Sequence, residues 1–184
     1  RDGEFIQRPL PERMPARMSD LPPNVFARRS RTVLMGRFSP AYLWQALFIW
    51  PFRHQDLVVQ LYAARLSSVV LNVAIVWLAW CIFRSLAPWR WAVAMTAFVA
   101  FLPQHTFVNA MVGEGPLAEL ATCVVLYAWL RIVARGVSPW STIAVLWGTL
   151  LGVWAKRTAV FLVPLDVVAA LSLMIARAPR ERRG

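Results

Sequence analysis

Long uncharged apolar runs alternate with short basic connections through most of this chain, and the run lengths set the first expectation. Residues 58–83 contain VVLNVAIVWLAWCIF, bounded by Arg65 and Arg84. Further apolar runs cover residues 90–102, 116–133, 139–155 and 158–176. Crossing a bilayer core of roughly 30 Å takes roughly 20 residues of α-helix. The pattern therefore predicts an all-α fold, a polytopic transmembrane helix bundle of about five spans. The run PAYLWQALFIWP at 40–51 is too short to cross. Its Tyr42, Trp44 and Trp50 suit the membrane interface, where an aromatic body is buried and its polar edge stays wet, so it reads as an interfacial helix. Residues 1–39 hold Pro9, Pro11, Pro15, Pro22 and Pro23 among many charges and sustain no periodicity, which predicts an extended loop.

The second run is short, and the polar stretch after it, LPQHTFVNAMVGEGPLAEL at 102–120, is the main interruption of the apolar pattern. Pro103 ends one helix by removing a backbone donor. Gly113, Gly115 and Pro116 turn the chain and restart the next. The stretch reads as the tip of a helical hairpin carrying Gln104, His105, Asn109 and Glu114. At about 1.5 Å per residue, residues 90–102 reach only about 20 Å. Either the helix continues past Pro103 with a kink, or the tip lies below the headgroups in a protein-lined cavity, because unpaired backbone is not tolerated against lipid. Glu119 suits the positive end of the restarting helix. Ser138-Pro139 is a cap and first-turn pair for the fourth run. Pro164 breaks the fifth run, and Asp166 there either serves a midplane site or turns toward a helix neighbour or a cavity.

Composition agrees with a membrane class, at 59% hydrophobic and 16% charged residues. The net charge of +11 does not signal nucleic acid, because the basic residues flank apolar runs instead of forming a stripe with interleaved aromatics. Cys81 and Cys123 lie in separate runs and read as small buried hydrophobes. With two His in the chain no metal site is expected, and no cofactor is called for, a divalent metal being left open. The opening on Arg1, with no initiating Met or secretory segment, reads as a piece of a longer protein.

Charge also orients the bundle. Arg84, Arg90, Arg131, Arg135, Arg177, Arg180, Arg182 and Arg183 fall on one set of connections, and only Lys156 and Arg157 on the other. By the positive-inside bias the first set is cytoplasmic, as is the C-terminus. The parts are then an extracytoplasmic loop (1–39), an interfacial helix and connection (40–56), the transmembrane bundle (57–177) and a basic cytoplasmic tail (178–184). Lys156 and Arg157 stand on the sparsely charged side, before a helix restarting at Thr158 whose free N–H groups point the same way. They read either as a phosphate site or as cations snorkelling to headgroups. Arg65, about one turn inside its apolar run, carries the same two readings.

Four stretches resemble the membrane-integral GT-C glycosyltransferases, in particular the branch similar to protein mannosyltransferases and the lipid A aminoarabinose transferase. Ser39-Pro40-Ala41-Tyr42 looks like the segment ending the first outer loop, and Ala63-Ala64-Arg65-Leu66-Ser67 like the start of the next span. FVNAMVGEGPL at 107–117 looks like the tip before a helix, and GVWAKRTA at 152–159 like a Lys-containing turn. The resemblance implies a fragment of a plasma-membrane enzyme, bacterial in type, that takes a sugar from a polyprenyl-phosphate donor on the outer face. Lys156, with Arg157 and Arg65, would hold the lipid phosphate, and His105, Asn109 and Glu114 would line the groove. The acidic base of such enzymes would lie upstream of Arg1, so this stretch alone is not expected to be active. Gly113-Glu114-Gly115 stands where relatives keep Asn and Asp, which makes Glu114 the candidate carboxylate. Partners would be the polyprenyl-linked sugar and membrane lipids, with no nucleic acid. The alternative is a non-catalytic membrane scaffold or a transporter portion, in which the same polar residues stabilise helix ends.

Overall fold

The structure, a computed structural model, describes residues 39–177. The loop expected before Ser39 and the basic tail at 178–184 lie outside the described residues. Within them the chain forms helices, with no strand. Helix α1, Pro40–Ile49, starts where the Ser39 side chain accepts from the Ala41 N–H and Pro40 supplies a preset first-turn residue. A 3-10 turn, Trp50–Phe52, follows it. Helix α2, Leu57–Leu86, has 30 residues. Helix α3, Trp89–Phe101, has 13, and α4, Pro103–Ala110, has 8.

Helix α5, Gly115–Arg135, ends at Gly136, whose φ of 89° is the positive value that a residue with a Cβ rarely adopts. Helix α6, Pro139–Ala155, opens with the expected Ser138-Pro139 pair, and Ser141 completes a reciprocal capping box with Ser138. The chain then makes a 3-10 turn, Arg157–Phe161, before α7, Leu162–Arg177. The α-helix expected from Thr158 is a 3-10 turn for its first residues. Pro164 has no N–H to offer the Val160 carbonyl and its ring would crowd that carbonyl, which disfavours a regular α-helix through the pair.

By length and composition three stretches are able to cross a membrane: Leu57–Leu86, Gly115–Arg135 and Arg157–Ala176. Helices α3 and α6 are apolar but shorter. The three long apolar helices are consistent with an integral membrane protein. On α2 the buried residues Ala63, Ala64, Ser67, Ser68, Leu71, Ile75, Leu78 and Ala79 recur every three or four positions and form one face. Its opposite side exposes Val69, Val73 and Trp77, as expected where acyl chains supply the apolar surroundings.

The tightest packing joins α5 to α6. A Cβ placed on Gly148 would meet Val125 Cγ2 at 2.7 Å, and one on Gly152 would meet Ala121 Cβ of α5 at 3.4 Å and Leu162 Cδ1 of α7 at 3.0 Å. Such small residues let backbones approach where the apolar effect gives no drive between helices. Val125 is fully buried and stiff at χ1, so it has little room to yield. Gly148→Leu is therefore expected to lower stability by about 1–3 kcal/mol through overpacking. Thermal unfolding in detergent reads the change, and Gly113→Ala, whose Cβ meets nothing within 4 Å, is the control.

Candidate functional site at the tip end of the bundle

Between α4 and α5 the chain leaves helical geometry at residues 111–114, and side chains of α1 and α2 take up the freed carbonyls. Gln45 Nε2 donates to Gly113 O at 2.9 Å, and Ser68 Oγ donates to Met111 O at 3.2 Å. Both donors are on buried residues. Met111 and Val112 are exposed and Gly113 is half-buried, so the bend lies at the surface of the bundle, and these two bonds give its carbonyls partners on α1 and α2. Helix α1 is fixed in turn by Trp44 Nε1 donating to Ser67 O at 3.0 Å and by Ser39 Oγ donating to Ala155 O at 3.0 Å. The last bond sets the start of α1 on the final turn of α6, next to Lys156.

Under the bend, α4 turns its polar side inward. His105 Nδ1 lies 2.9 Å from Glu119 Oε1, and His105 Nε2 lies 2.9 Å from Asn72 Oδ1. Asn109 Nδ2 donates to Glu119 Oε2 at 3.1 Å and to His105 O at 3.0 Å. Three helices, α2, α4 and α5, thus meet in one polar knot. His105 and Asn109 are buried, whereas the Glu119 side chain is 37% exposed and Asn72 is half-buried, so the knot reaches the surface at its carboxylate and at Asn72. Asn109 Oδ1 is buried with no hydrogen-bond partner.

Heights along the bundle explain the arrangement. Asn72 stands 14 residues before Leu86, about 21 Å up α2, and the 13 residues of α3 climb about 20 Å over the same interval. The tip therefore sits well short of the far end of α2, with His105 and Asn109 turned inward and Phe101, Phe107 and Met111 exposed. Pro103 occupies the first turn of a new helix, where its missing N–H does no harm.

At the outer side of the tip, Glu114 meets Tyr42 of α1. Burial first, then the charge of Glu114 and a hydrogen bond to it, raise the Tyr42 hydroxyl above its ordinary value of 10.0. Arg65, Lys156 and Arg157 are exposed at this end and make no ion pair among the described residues. The groove expected to gather these residues is divided between two layers. His105 and Asn109 lie inside the tip, and Glu114 and the three cations lie toward its surface.

Asp166 is turned toward helix neighbours. Trp129 Nε1 of α5 donates to its Oδ1 and Thr149 Oγ1 of α6 donates to its Oδ2, each at 2.6 Å, which ties α7 to the bundle. Sequence reasoning missed Asn72, although a lone Asn within an apolar run is a readable signal. It also assigned Glu119 to the helix dipole, whereas Glu119 is the only acid of the buried knot. Among the described residues no group of three His, Cys, Asp or Glu is arranged to hold a metal ion.

No protein-family model matches the chain, and no curated protein and no solved structure matches it.

Two outcomes follow from this geometry. His105→Ala strips a partner from Glu119 and from Asn72 and is expected to destabilise the fold by about 1–3 kcal/mol. Unfolding in detergent reports it, with the exposed Gln104→Ala expected within about 0.5 kcal/mol of the parent. The raised Tyr42 value means that the fold favours the neutral phenol. Its contribution is whole below pH 10.0 and disappears as pH rises through the raised value. Glu114→Gln should bring the phenolate absorbance of Tyr42 in at lower pH, visible as a difference spectrum against the parent.

Proposed function

We propose that the chain is part of a GT-C type glycosyltransferase that takes its sugar from a polyprenyl phosphate at the outer face of a membrane. In this reading α3 and α6 cross as short spans beside the three long ones, giving about five, with the tip end outside and the C-terminus cytoplasmic. The observation that supports it is a meeting of distant stretches. Two of the four segments that carry the resemblance, 39–42 and 152–159, are bonded directly, and residues that follow the segments at 39–42 and 63–67 (Trp44, Gln45 and Ser68) tie in the other two. Ser39 bonds to Ala155, Trp44 to Ser67, Gln45 to Gly113 and Ser68 to Met111. Local helix stability does not require stretches up to 116 positions apart to converge on one surface.

Roles follow from charge. Glycosyl transfer from a lipid phosphate develops negative charge on the leaving group, and preorganised cations stabilise it. Lys156 and Arg157, with Arg65, are exposed at this end and carry no acidic partner among the described residues, which leaves them available to a phosphate. Glu114, paired with Tyr42, is the carboxylate nearest in the chain to the tip's outer turn. The buried His105–Glu119 pair acts as the support that holds the tip in place, and the reaction does not consume it.

A second reading, a non-catalytic scaffold or a transporter portion, is favoured by one fact: His105, Glu119 and Asp166 all have internal partners. Lys156→Ala combined with Arg157→Ala separates the two. Affinity for a polyprenyl phosphate is expected to fall by about tenfold or more, since a charge-assisted hydrogen bond contributes about 1.5–3 kcal/mol. An affinity equal to that of the parent, measured by equilibrium binding in detergent, would remove the enzyme reading.

A further inference from the structure

The opposite end of the bundle holds a second cluster of cations that the proposed reaction does not use. Arg84 closes the last turn of α2, and Arg131 and Arg135 lie on the last turns of α5. All three line one groove of about 560 Å³ between the two helices, together with Trp80, Leu130 and Val133. Each guanidinium belongs to an exposed residue. None has a hydrogen bond or an ion pair among the described residues, the only contact being Arg131 at 5.9 Å from the Tyr127 ring. None of the four acids among the described residues, Asp56, Glu114, Glu119 and Asp166, lines the groove. Helix C-termini favour nearby cations, and that effect accounts for a basic residue on the last turn of each helix. It does not account for three converging on one cavity with an apolar wall.

We propose that this groove binds an anionic phospholipid, its phosphodiester held by Arg84, Arg131 and Arg135 and an acyl chain laid along Trp80, Leu130 and Val133. Charge complementarity selects the anion, since a guanidinium fork matches phosphate oxygens in two-point contact. The apolar wall selects a lipid over a soluble phosphoester. Basic pockets between apolar helices are suited to this chemistry. The inference does not depend on the tip end and stands whether or not the chain is a glycosyltransferase.

The test uses the intact chain in a zwitterionic detergent, with phosphatidylglycerol as probe and native mass spectrometry as readout. The parent should retain phosphatidylglycerol in preference to phosphatidylcholine. The triple change Arg84→Gln, Arg131→Gln and Arg135→Gln should weaken that retention by roughly tenfold or more. Arg90→Gln, which removes a charge near the same end outside the groove, should leave it unchanged. Losses at Arg90 equal to those at the groove arginines would mean diffuse surface attraction and would overturn the proposal. Glycerol phosphate should fail to displace the lipid, and displacement at equal concentration would overturn the lipid as occupant. A measurement on the unaltered chain covers the case in which the triple variant does not fold. Cys81 lines the same groove, so phosphatidylglycerol should slow its alkylation, and an unchanged rate counts against the site.

Discussion

A backbone that leaves helical geometry in an apolar bundle exposes carbonyls that need partners, and the break between α3 and α5 is where this protein meets that demand with side chains. Residues 111–114 would carry orphan carbonyls if the tip stood against lipid. Gln45 and Ser68 take two of them, and both donors come from elements other than the tip itself. The position of α1 is therefore part of the same solution. Its Trp44 grips the Ser67 carbonyl, its Ser39 grips the Ala155 carbonyl, and its Gln45 reaches the bend. Removing α1 would leave the tip short of a donor and the turn after α6 without its anchor, so the short helix helps to hold three connections at once.

The buried knot beneath the bend obeys a related constraint. A carboxylate in low-dielectric surroundings is costly unless it is paired and hydrogen-bonded. Glu119 meets this with His105 on one oxygen and Asn109 on the other, while its remaining surface stays open. Asp166 solves the same problem with two neutral donors, Trp129 and Thr149. The two acids consequently act as fasteners of opposite ends of the helical layer: one binds α4 and α2 to α5, and the other binds α7 to α5 and α6. Helix α7 is further held by Leu162 in the core around Val125 and by Leu173 against Ala128, Ile132 and Val145, beside a groove of about 490 Å³.

What the sequence made legible was local chemistry. Ser138-Pro139 starts α6 and Ser39-Pro40 starts α1 because a cap and a fixed φ act within one turn. The same holds for the end of α3 before Pro103, and Asp166 was readable as an acid in need of a helix neighbour. The partners were not readable. Asn72 and His105 are 33 positions apart, and their meeting depends on the register of α4 against α2, which no periodicity encodes. Glu119 looked like a residue serving its own helix dipole because the competing partner came from another element. Burial had the same cause: His105 and Asn109 looked like groove residues since their polarity is visible in sequence, whereas the direction they face is set by α4 beginning at Pro103 instead of α3 continuing past it. The turn after α6 came out as 3-10 because Pro164 acts backward on Val160, a local effect that was present in the sequence.

The distribution of charge gives the two ends different chemistry. At the tip end Glu119 is paired with His105 and Asn109, and Glu114 lies beside the Tyr42 hydroxyl. The cations there, Arg65, Lys156 and Arg157, have none among the described residues. Had the fold used those cations to neutralise Glu114 or Glu119, their positive field would be cancelled within the chain. Instead the carboxylates are satisfied by a phenol, an imidazole and an amide, groups that discharge the hydrogen-bonding need while leaving the cationic field at the surface open to an outside anion. At the arginine end no acid among the described residues lines the cavity at all, and the field is open for a simpler reason. A bundle of apolar helices thus presents exposed cations at both ends, in one case because Glu114 and Glu119 meet neutral or imidazole partners and in the other because no acid among the described residues lines the groove.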